Sequence, residues 1–205
     1  MTWYIVRHAE KVFGGYYNAE LRHQDEPLTA VGEQSARRIA ERLGDRPIAA
    51  IYVSAYLRTS QTAAPLAERL GLVPVVDARL NEIDNGQVDA MTEEEFAVAF
   101  PDVWRAYVAR AADFRFPGGE SGAEVDARIG AFFDERLAQH GDDDVVVVVV
   151  VVVVVSHDGL IRQLMCHVLG LPVHHRGDFR IDFAGLTELS FQRDIGRWRL
   201  LRFNG

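Results

Sequence analysis

The chain has 205 residues, a formal net charge of −8, 48% hydrophobic residues and 25% charged residues. That length suits one domain with a full core, and the composition is that of an ordinary globular protein. The acidic balance argues against a nucleic-acid binder, which carries a basic excess, but leaves room for a small cationic pocket. The one cysteine, Cys166, cannot make an internal disulfide and falls in an apolar helical pattern, so it reads as a small buried residue. No CxxC or HExxH spacing nominates a metal site. No basic segment followed by an apolar stretch opens the chain, so the expected compartment is the cytoplasm, with no membrane partner.

Trp3 to Val6 is an apolar, aromatic and β-branched run that reads as a strand and stops at Arg7-His8. A polar, glycine-containing loop follows, from about Lys11 to Pro27, with Asn18 and the basic pair Arg22-His23 in it. Thr29 caps a helix whose apolar positions run from Val31 through Ser35-Ala36 and Ile39-Ala40 to Leu43. Ile48 to Val53 is a second strand. Ser54 leads from it into a second helix that carries Arg58 near its start and ends at Gly71. Leu72 to Val76 is a third strand. The order β-loop-α-β-α-β predicts a parallel sheet with covering helices.

Leu80-Asn-Glu-Ile-Asp-Asn-Gly86 carries the next polar cluster. Met91 to about Phe116 is helical but weakly patterned, a candidate lid over the sheet's end; Trp104, Arg105 and Tyr107 are either substrate contacts or packing residues. Pro117-Gly-Gly-Glu-Ser121 is a turn leading into a helix with Val125, Ile129, Phe132-Phe133 and Leu137 on one face. Then come three aspartates and eleven consecutive valines, Val145–Val155. Eleven residues are too few to cross a bilayer, which takes about 20. The run reads as a fully buried parallel strand. It is longer than the usual strand of about 5–6 residues, so the surplus is expected to project at the Asp-rich end while the other end delivers Ser156-His157. After a helix from Asp158 to Leu169, Phe179–Phe183, Leu186–Gln192 and Trp198–Phe203 read as strands. No repeat and no dividing linker interrupts the chain, so 1–205 is expected to be one domain, with 84–117 as the lid insertion.

Four segments share one grammar, an apolar strand with a polar residue at its exit: Val6-Arg7-His8, Val53-Ser54 leading to Arg58, Leu80-Asn81-Glu82, and Val155-Ser156-His157. In a parallel sheet the C-terminal strand ends lie along one edge, where these residues can converge. Two arginines, two histidines and a carboxylate fit phosphoryl transfer. Arginine forks match phosphate oxygens. A neutral imidazole nitrogen can attack phosphorus, and a carboxylic acid can protonate the leaving oxygen. The helix start after His157 is expected to add backbone N–H groups to the same anion site. Taken singly, each residue also reads blandly, as an ion pair, a turn cap or a solvated helix position.

Val6-Arg7-His8-Ala9-Glu10 resembles the signature of the histidine phosphatase superfamily, in its phosphoglycerate-mutase-like branch. Asp25–Glu33, Ser54–Ala63, Leu80–Gly86, Pro117–Ser121 and Ser156–Arg162 are similar to that family's later blocks, in the same order. The resemblance implies an α/β fold, a mainly parallel central sheet flanked by helices on both faces, with a small helical insertion over the C-terminal strand ends. It implies His8 as the phosphorylated nucleophile and a phosphate pocket of Arg7, His8, Arg58 and His157. Glu82 would be the proton donor, and no metal or other cofactor is implied. Ala9 and Asp158 stand where the family commonly has glycine. The His157-Asp158 pair is similar to the acid-phosphatase branch, in which that aspartate is the proton donor. The loop after Glu10 departs from the family pattern, so Asn18 is not aligned with its substrate-side asparagine.

The function expected is a metal-independent phosphomonoester phosphatase acting through phosphohistidine on a small phosphorylated metabolite. The alternatives are a phosphoglycerate-type phosphomutase and a non-catalytic module that binds a phospho-ligand.

Overall fold

The computed structural model describes residues 1–14, 17–18, 20–21, 23–140 and 151–205. Its centre is a six-stranded sheet. The strands are β1 (Thr2–Arg7), β4 (Ile48–Val53), β5 (Val75–Val76), β6 (Val151–Ser156), β7 (Leu186–Gln192) and β8 (Arg197–Arg202). A separate two-stranded ribbon, β2 (Tyr17–Asn18) with β3 (His23–Gln24), lies within the loop that follows β1. The order across the sheet is β5-β4-β6-β1-β7-β8. The first four of these run parallel, β7 lies antiparallel to β1, and β8 lies antiparallel to β7.

The valine strand is therefore central, inserted late in the chain between two strands made early. Its six residues are all buried. A strand covered on both faces needs apolar side chains on both, which is why unbroken valine suits this place and alternation does not. Val145–Val150, and with them the expected projection of the surplus, lie outside the described residues.

Helices cover both faces. Helices α1 (Ala30–Leu43) and α2 (Leu57–Leu70) pack Ile39, Leu43 and Leu66 against Tyr4, Val6, Ile51, Val53, Val153 and Val155. On the other face lie α5 (Gly122–Gln139) and α6 (Asp158–Leu169), with Ile129, Phe132, Phe133, Leu160 and Leu164 against Trp3, Ile5, Val152 and Val154. The alternation of β1 and β6 between the two cores is the period of a strand. The caps follow the sequence pattern. Thr29 accepts from Gly32 N, Ser121 and Glu124 form a capping box, and α2 and α6 end on left-handed Gly71 and Gly170. Cys166 is fully buried, and burial pushes its thiol up to about 11.

Three expectations change. The third strand shrinks to Val75–Val76, because Pro74 inside the run lacks an N–H for the ladder. The segment expected as a lid carries two short helices, α3 (Glu93–Ala99) and α4 (Pro101–Ala109), in place of one, broken where Pro101 starts a new helix. Phe179–Phe183 is not a strand: the Ile181 carbonyl accepts from Arg7 Nη1, and Ala184 turns the chain at φ 58°. No helix among the described residues is long and apolar enough to cross a membrane.

The sheet register sets the site. Arg7 pairs with Ser156, and Val6 and Val53 both pair with Val155, so β1, β4 and β6 end level. Helix α1 is held against the turn after His8 by Gly32, where a Cβ would come within 2.0 Å of the Glu10 carbonyl oxygen. Gly32→Ala is expected to lower stability by about 3 kcal/mol, the upper range for overpacking, read as a drop in the urea midpoint; an unchanged midpoint would show that this contact does not position the strand exit.

Candidate active site

The level strand ends place His8, Ser54 and His157 side by side. The His8 amide donates to Ser156 O (2.8 Å), and the His8 and His157 rings meet edge to face with centroids 5.2 Å apart. His8 is 4% exposed and His157 fully buried.

His8 Nδ1 lies 2.8 Å from Ala9 O, a carbonyl that can only accept. Nδ1 therefore carries the proton, and Nε2 keeps its lone pair. Burial, then the nearby Arg58 cation, and more weakly Arg7 and Lys11, hold the His8 pKa down at about 3. The ring is neutral at physiological pH. Ala9 is buried against Leu28 and Ala36, so its methyl group has a place to sit.

His157 is ordered by a relay of hydroxyls. Thr59 Oγ1 donates to Tyr56 O (2.8 Å) and so accepts from Ser54 Oγ (2.9 Å). Ser54 Oγ in turn accepts from His157 Nε2 (2.8 Å). This assigns the ring proton to Nε2 and leaves Nδ1, buried, with no hydrogen-bond partner among the described residues. Burial first, then Arg58 and His8, hold His157 well below its ordinary pKa.

The two arginines are each braced on an aromatic face. Arg7 lies over Phe183 at 4.1 Å, and Asp158 Oδ1 is 3.6 Å from its Nη1. Arg58 lies over Tyr56 at 4.2 Å, donates to Gln24 O (2.9 Å), and has Asp25 Oδ1 at 3.7 Å. Asp25 also accepts from Leu57 N (2.8 Å) and from Asn18 Nδ2 (3.3 Å). Asn18 is thus part of the loop's own bonding, its Oδ1 accepting from Glu20 N and Leu21 N.

Glu82 is where the structure departs from the expectation for α6. The start of that helix was expected to serve a phosphate. Instead the Glu82 carboxylate occupies it: Oε1 accepts from Leu160 N (3.0 Å) and Ile83 N (3.0 Å), and Oε2 from Gly159 N (3.3 Å). Its main chain is held by Arg128, which donates to Glu82 O (3.3 Å) while pairing with Glu120 through Nε (2.8 Å) and Nη2 (2.9 Å). Gly119 presses onto this segment, its missing Cβ lying 2.1 Å from Asp84 O. The Pro117-Gly-Gly-Glu120 block therefore acts as the clamp on the Glu82 loop. The neighbouring Asp158 has Arg162 Nη2 2.8 Å from its Oδ2.

All five sequence-predicted residues, His8, Arg7, Arg58, His157 and Glu82, border one locus; both arginines feel the Glu82 charge, and both lower the His8 pKa. Sequence reasoning missed Phe183, Glu120 and Arg128, and gave Ser54 no role. Of the residues expected on the lid, Tyr107 lines a cleft of about 250 Å³ that reaches Glu82. Trp104 packs on Phe96 and Tyr107, and Arg105 is exposed beside Asp102.

Comparison with known proteins decides the family. Residues 3–205 match the profile of the histidine phosphatase superfamily (branch 1). The chain belongs to that superfamily. It is 34% identical over 198 residues to a protein named "Probable phosphoglycerate mutase GpmB" from Enterobacter sp. (strain 638), across 92% of this chain and 84% of the relative. Among solved structures it resembles a mycobacterial glucosyl-3-phosphoglycerate phosphatase, with TM-score 0.82, 30% identity, and coverage of 100% of this chain and 98% of that one. It also resembles Bacillus stearothermophilus YhfR, with TM-score 0.77, 25% identity, and coverage of 98% and 95%. The chain is an enzyme of the histidine phosphatase superfamily, with the α/β, mostly parallel sheet of its structural neighbours.

The two buried neutral histidines make stability depend on pH. In the unfolded chain each binds a proton below about pH 6.5. In the fold His8 does not do so until about pH 3, and His157 is lowered too. The unfolded state therefore holds more protons, and stability falls as pH drops below 6.5. The expected slope approaches about 1.4 kcal/mol per pH unit for each histidine. Urea titrations from pH 7 to 5 measure it, and His8→Asn should remove part of the slope; a slope of zero would mean the rings are not held neutral.

Proposed function

We propose that this enzyme is a phosphomonoester phosphatase acting through phospho-His8 on a small phosphorylated metabolite. The observation that carries this reading is the tautomer of His8. A neutral ring with its proton committed to Ala9 O presents the Nε2 lone pair to a space flanked by two guanidiniums.

In the first step Nε2 attacks phosphorus in line as the bond to the leaving oxygen breaks. Arg7 and Arg58 take up the charge on the phosphoryl oxygens. His157 Nδ1 accepts the O–H of a monoanionic phosphoryl group. The positive charge that develops on the His8 ring is met by the Ala9 carbonyl at Nδ1. Glu82 gives its proton to the leaving oxygen and releases an alcohol. A water then attacks phospho-His8 and loses its proton to Glu82; inorganic phosphate departs and the Nε2 lone pair is restored.

Glu82 and Asp158 both line the cleft; Glu82 is preferred as the acid because backbone N–H groups fix its position there, whereas Asp158 is the counter-ion of Arg7 and Arg162. Gly159 keeps that position clear, since a Cβ there would come within 2.8 Å of Glu82 Oε1. A phosphoglycerate-type mutase is the second reading. It is favoured by the name of the Enterobacter relative and would be revealed by a requirement for a bisphosphorylated activator.

The first assay is p-nitrophenyl phosphate hydrolysis with excess EDTA. Release is expected from the wild type and a loss of about a thousandfold or more in His8→Ala; unchanged turnover in that variant would remove His8 as the nucleophile. With alkyl phosphates, whose leaving oxygen needs a proton, Glu82→Gln is expected to cost about 10²–10⁴ in kcat and Asp158→Asn clearly less. Gly159→Ala should follow Glu82→Gln, losing more on alkyl than on p-nitrophenyl esters. The reverse ranking of the two carboxylates would assign the acid to Asp158.

A further inference from the structure

The loop after β1 buries a histidine that the proposed reaction does not use. His23 lies in β3 and is only 5% exposed. Burying an imidazole is costly unless a polar partner meets it. Its Nδ1 lies 2.8 Å from Asp89 Oδ1. Burial alone would push the Asp89 carboxyl up, but the His23 ring, Asn85 and the Gln24 backbone N–H hold it below its ordinary range. Asp89 is therefore an ionised acceptor, and Nδ1 carries the proton it receives. Nε2 has no hydrogen-bond partner among the described residues, and Asp84 Oδ1 stands 3.7 Å from it.

The two sides of this bond lead to different parts of the site. From Asp89 the chain runs back through the 3-10 turn Gly86–Val88 to Glu82. That turn is pinned. Val88 packs in the core, Gly86 N donates to Asp84 Oδ1 (2.7 Å), and Gln87 N donates to Pro117 O (2.8 Å). A Cβ on Gly86 would come within 2.2 Å of that same carbonyl oxygen. From His23 the next two residues reach Arg58. Gln24 O accepts from Arg58 Nη1 (2.9 Å), and Asp25 Oδ1 lies 3.7 Å from it. His23 and Arg58 also share one aromatic neighbour, since the Tyr56 ring lies 5.8 Å from the imidazole and 4.2 Å from the guanidinium. The ribbon pairs only Tyr17 with Gln24 and Asn18 with His23. A two-stranded ribbon so short cannot keep a fixed place by its own ladder. The buried imidazole is its anchor.

The geometry points to His23 as a positioning residue. Through Asp89 it ties the ribbon that holds Arg58 to the segment that carries Glu82, and so sets the phosphate-binding cation at a fixed distance from the general acid. The inference rests on the roles proposed above for Arg58 and Glu82. Their spacing matters because they act on the two sides of one breaking bond: Arg58 on the phosphoryl oxygens, Glu82 on the leaving oxygen. A misplacement of about 1 Å in such a pair costs on the order of a hundredfold in rate. Without the His23 bond the loop still has Asp25, which accepts from Leu57 N (2.8 Å) and from Asn18 Nδ2 (3.3 Å). The chain therefore stays folded there, while the Gln24 carbonyl is released from Asp89 and Arg58 moves with it.

The test compares two polar replacements of the ring. His23→Asn puts an amide N–H where Nδ1 stands and keeps the donor to Asp89; His23→Gln puts it at the Nε2 end and loses that donor. Orthovanadate binding at equilibrium reads the placement of Arg58. The ratio of kcat on an alkyl phosphate to kcat on p-nitrophenyl phosphate reads the placement of Glu82, because the alkyl leaving oxygen is the one that needs its proton. His23→Gln is expected to weaken vanadate binding about tenfold, to raise KM, and to lower the kcat ratio about tenfold, with His23→Asn recovering most of each loss. Urea midpoints on the same proteins separate this from a merely structural role. A midpoint that falls in His23→Gln, with vanadate affinity and kcat ratio within about twofold of the wild type, overturns the inference. So does a His23→Asn protein no better than His23→Gln. Imidazole NMR of the wild type needs no variant: His23 is expected to carry a proton on Nδ1, and a bare Nδ1 overturns the donor role even where neither variant folds. Failure of the parent reading looks different: p-nitrophenyl phosphate turnover is absent or independent of His8, while the vanadate affinities of the two variants still decide the placement of Arg58.

Discussion

The structure depends on where one strand ends. β6 is central, with β1 on one side and β4 on the other, and five of its six residues are the same. A slip along a valine run exchanges valine for valine, so side-chain packing cannot choose the register as it does in a patterned strand. The choice is made at the exit. Ser156 Oγ donates to Leu80 O (2.7 Å), the His8 amide donates to Ser156 O (2.8 Å), and His157 Nε2 donates to Ser54 Oγ (2.8 Å). These groups are buried, and leaving a buried partner unmet costs about 1–3 kcal/mol each. A slip of one residue would forfeit several of these bonds at once. The polar contacts that build the site are thus the contacts that fix the sheet.

The same contacts set the charge state. Two buried imidazoles beside guanidiniums have no reason to take protons: burial, Arg58 and Arg7 hold His8 neutral, and burial and Arg58 do so for His157. The pocket carries fixed positive charge and, at His157 Nδ1, a polar atom with no hydrogen-bond partner among the described residues. In the proposed reaction a phosphoryl group with anionic oxygens and one O–H meets both. Nucleophile strength and anion affinity therefore share one cause, the exclusion of water from the strand ends.

Much of this was legible in the chain because it is local. A strand that ends on Arg7-His8, another on Ser54 and a third on Ser156-His157 can be read from short windows, and a parallel sheet brings such ends together without further information. Thr29, Ser121, Gly71 and Gly170 likewise mark helix ends by their own chemistry. The missed features are long-range or lack a pattern. Phe183 supports Arg7 from 176 positions away, in a stretch that looks like a strand until the arginine takes its carbonyl. Arg128 acts on the Glu82 segment through the Glu82 carbonyl and Glu120 through the Asp84 N–H, which no side-chain motif reports. The ribbon β2–β3 is four residues of a polar loop, too short for any periodicity.

The use of α6 explains why both arginines are so heavily braced. A helix start is a ready anion site, and here the Glu82 carboxyl group takes it, its oxygens accepting from Gly159 N and Leu160 N. In the proposed reaction the phosphate is then left without the amides of Gly159 and Leu160, and its charge falls to Arg7 and Arg58. Burying a guanidinium is costly unless its neighbours compensate. Each has an aromatic face beneath it and a carboxylate near it: Phe183 and Asp158 for Arg7, Tyr56 and Asp25 for Arg58. At 3.6 and 3.7 Å those carboxylates are loose partners that offset desolvation without claiming the arginine forks. Asp158 in place of glycine fits this scheme as the counter-ion of Arg7, and the helix start fixes the Glu82 carboxyl group at the edge of a cleft that Asp158 also lines.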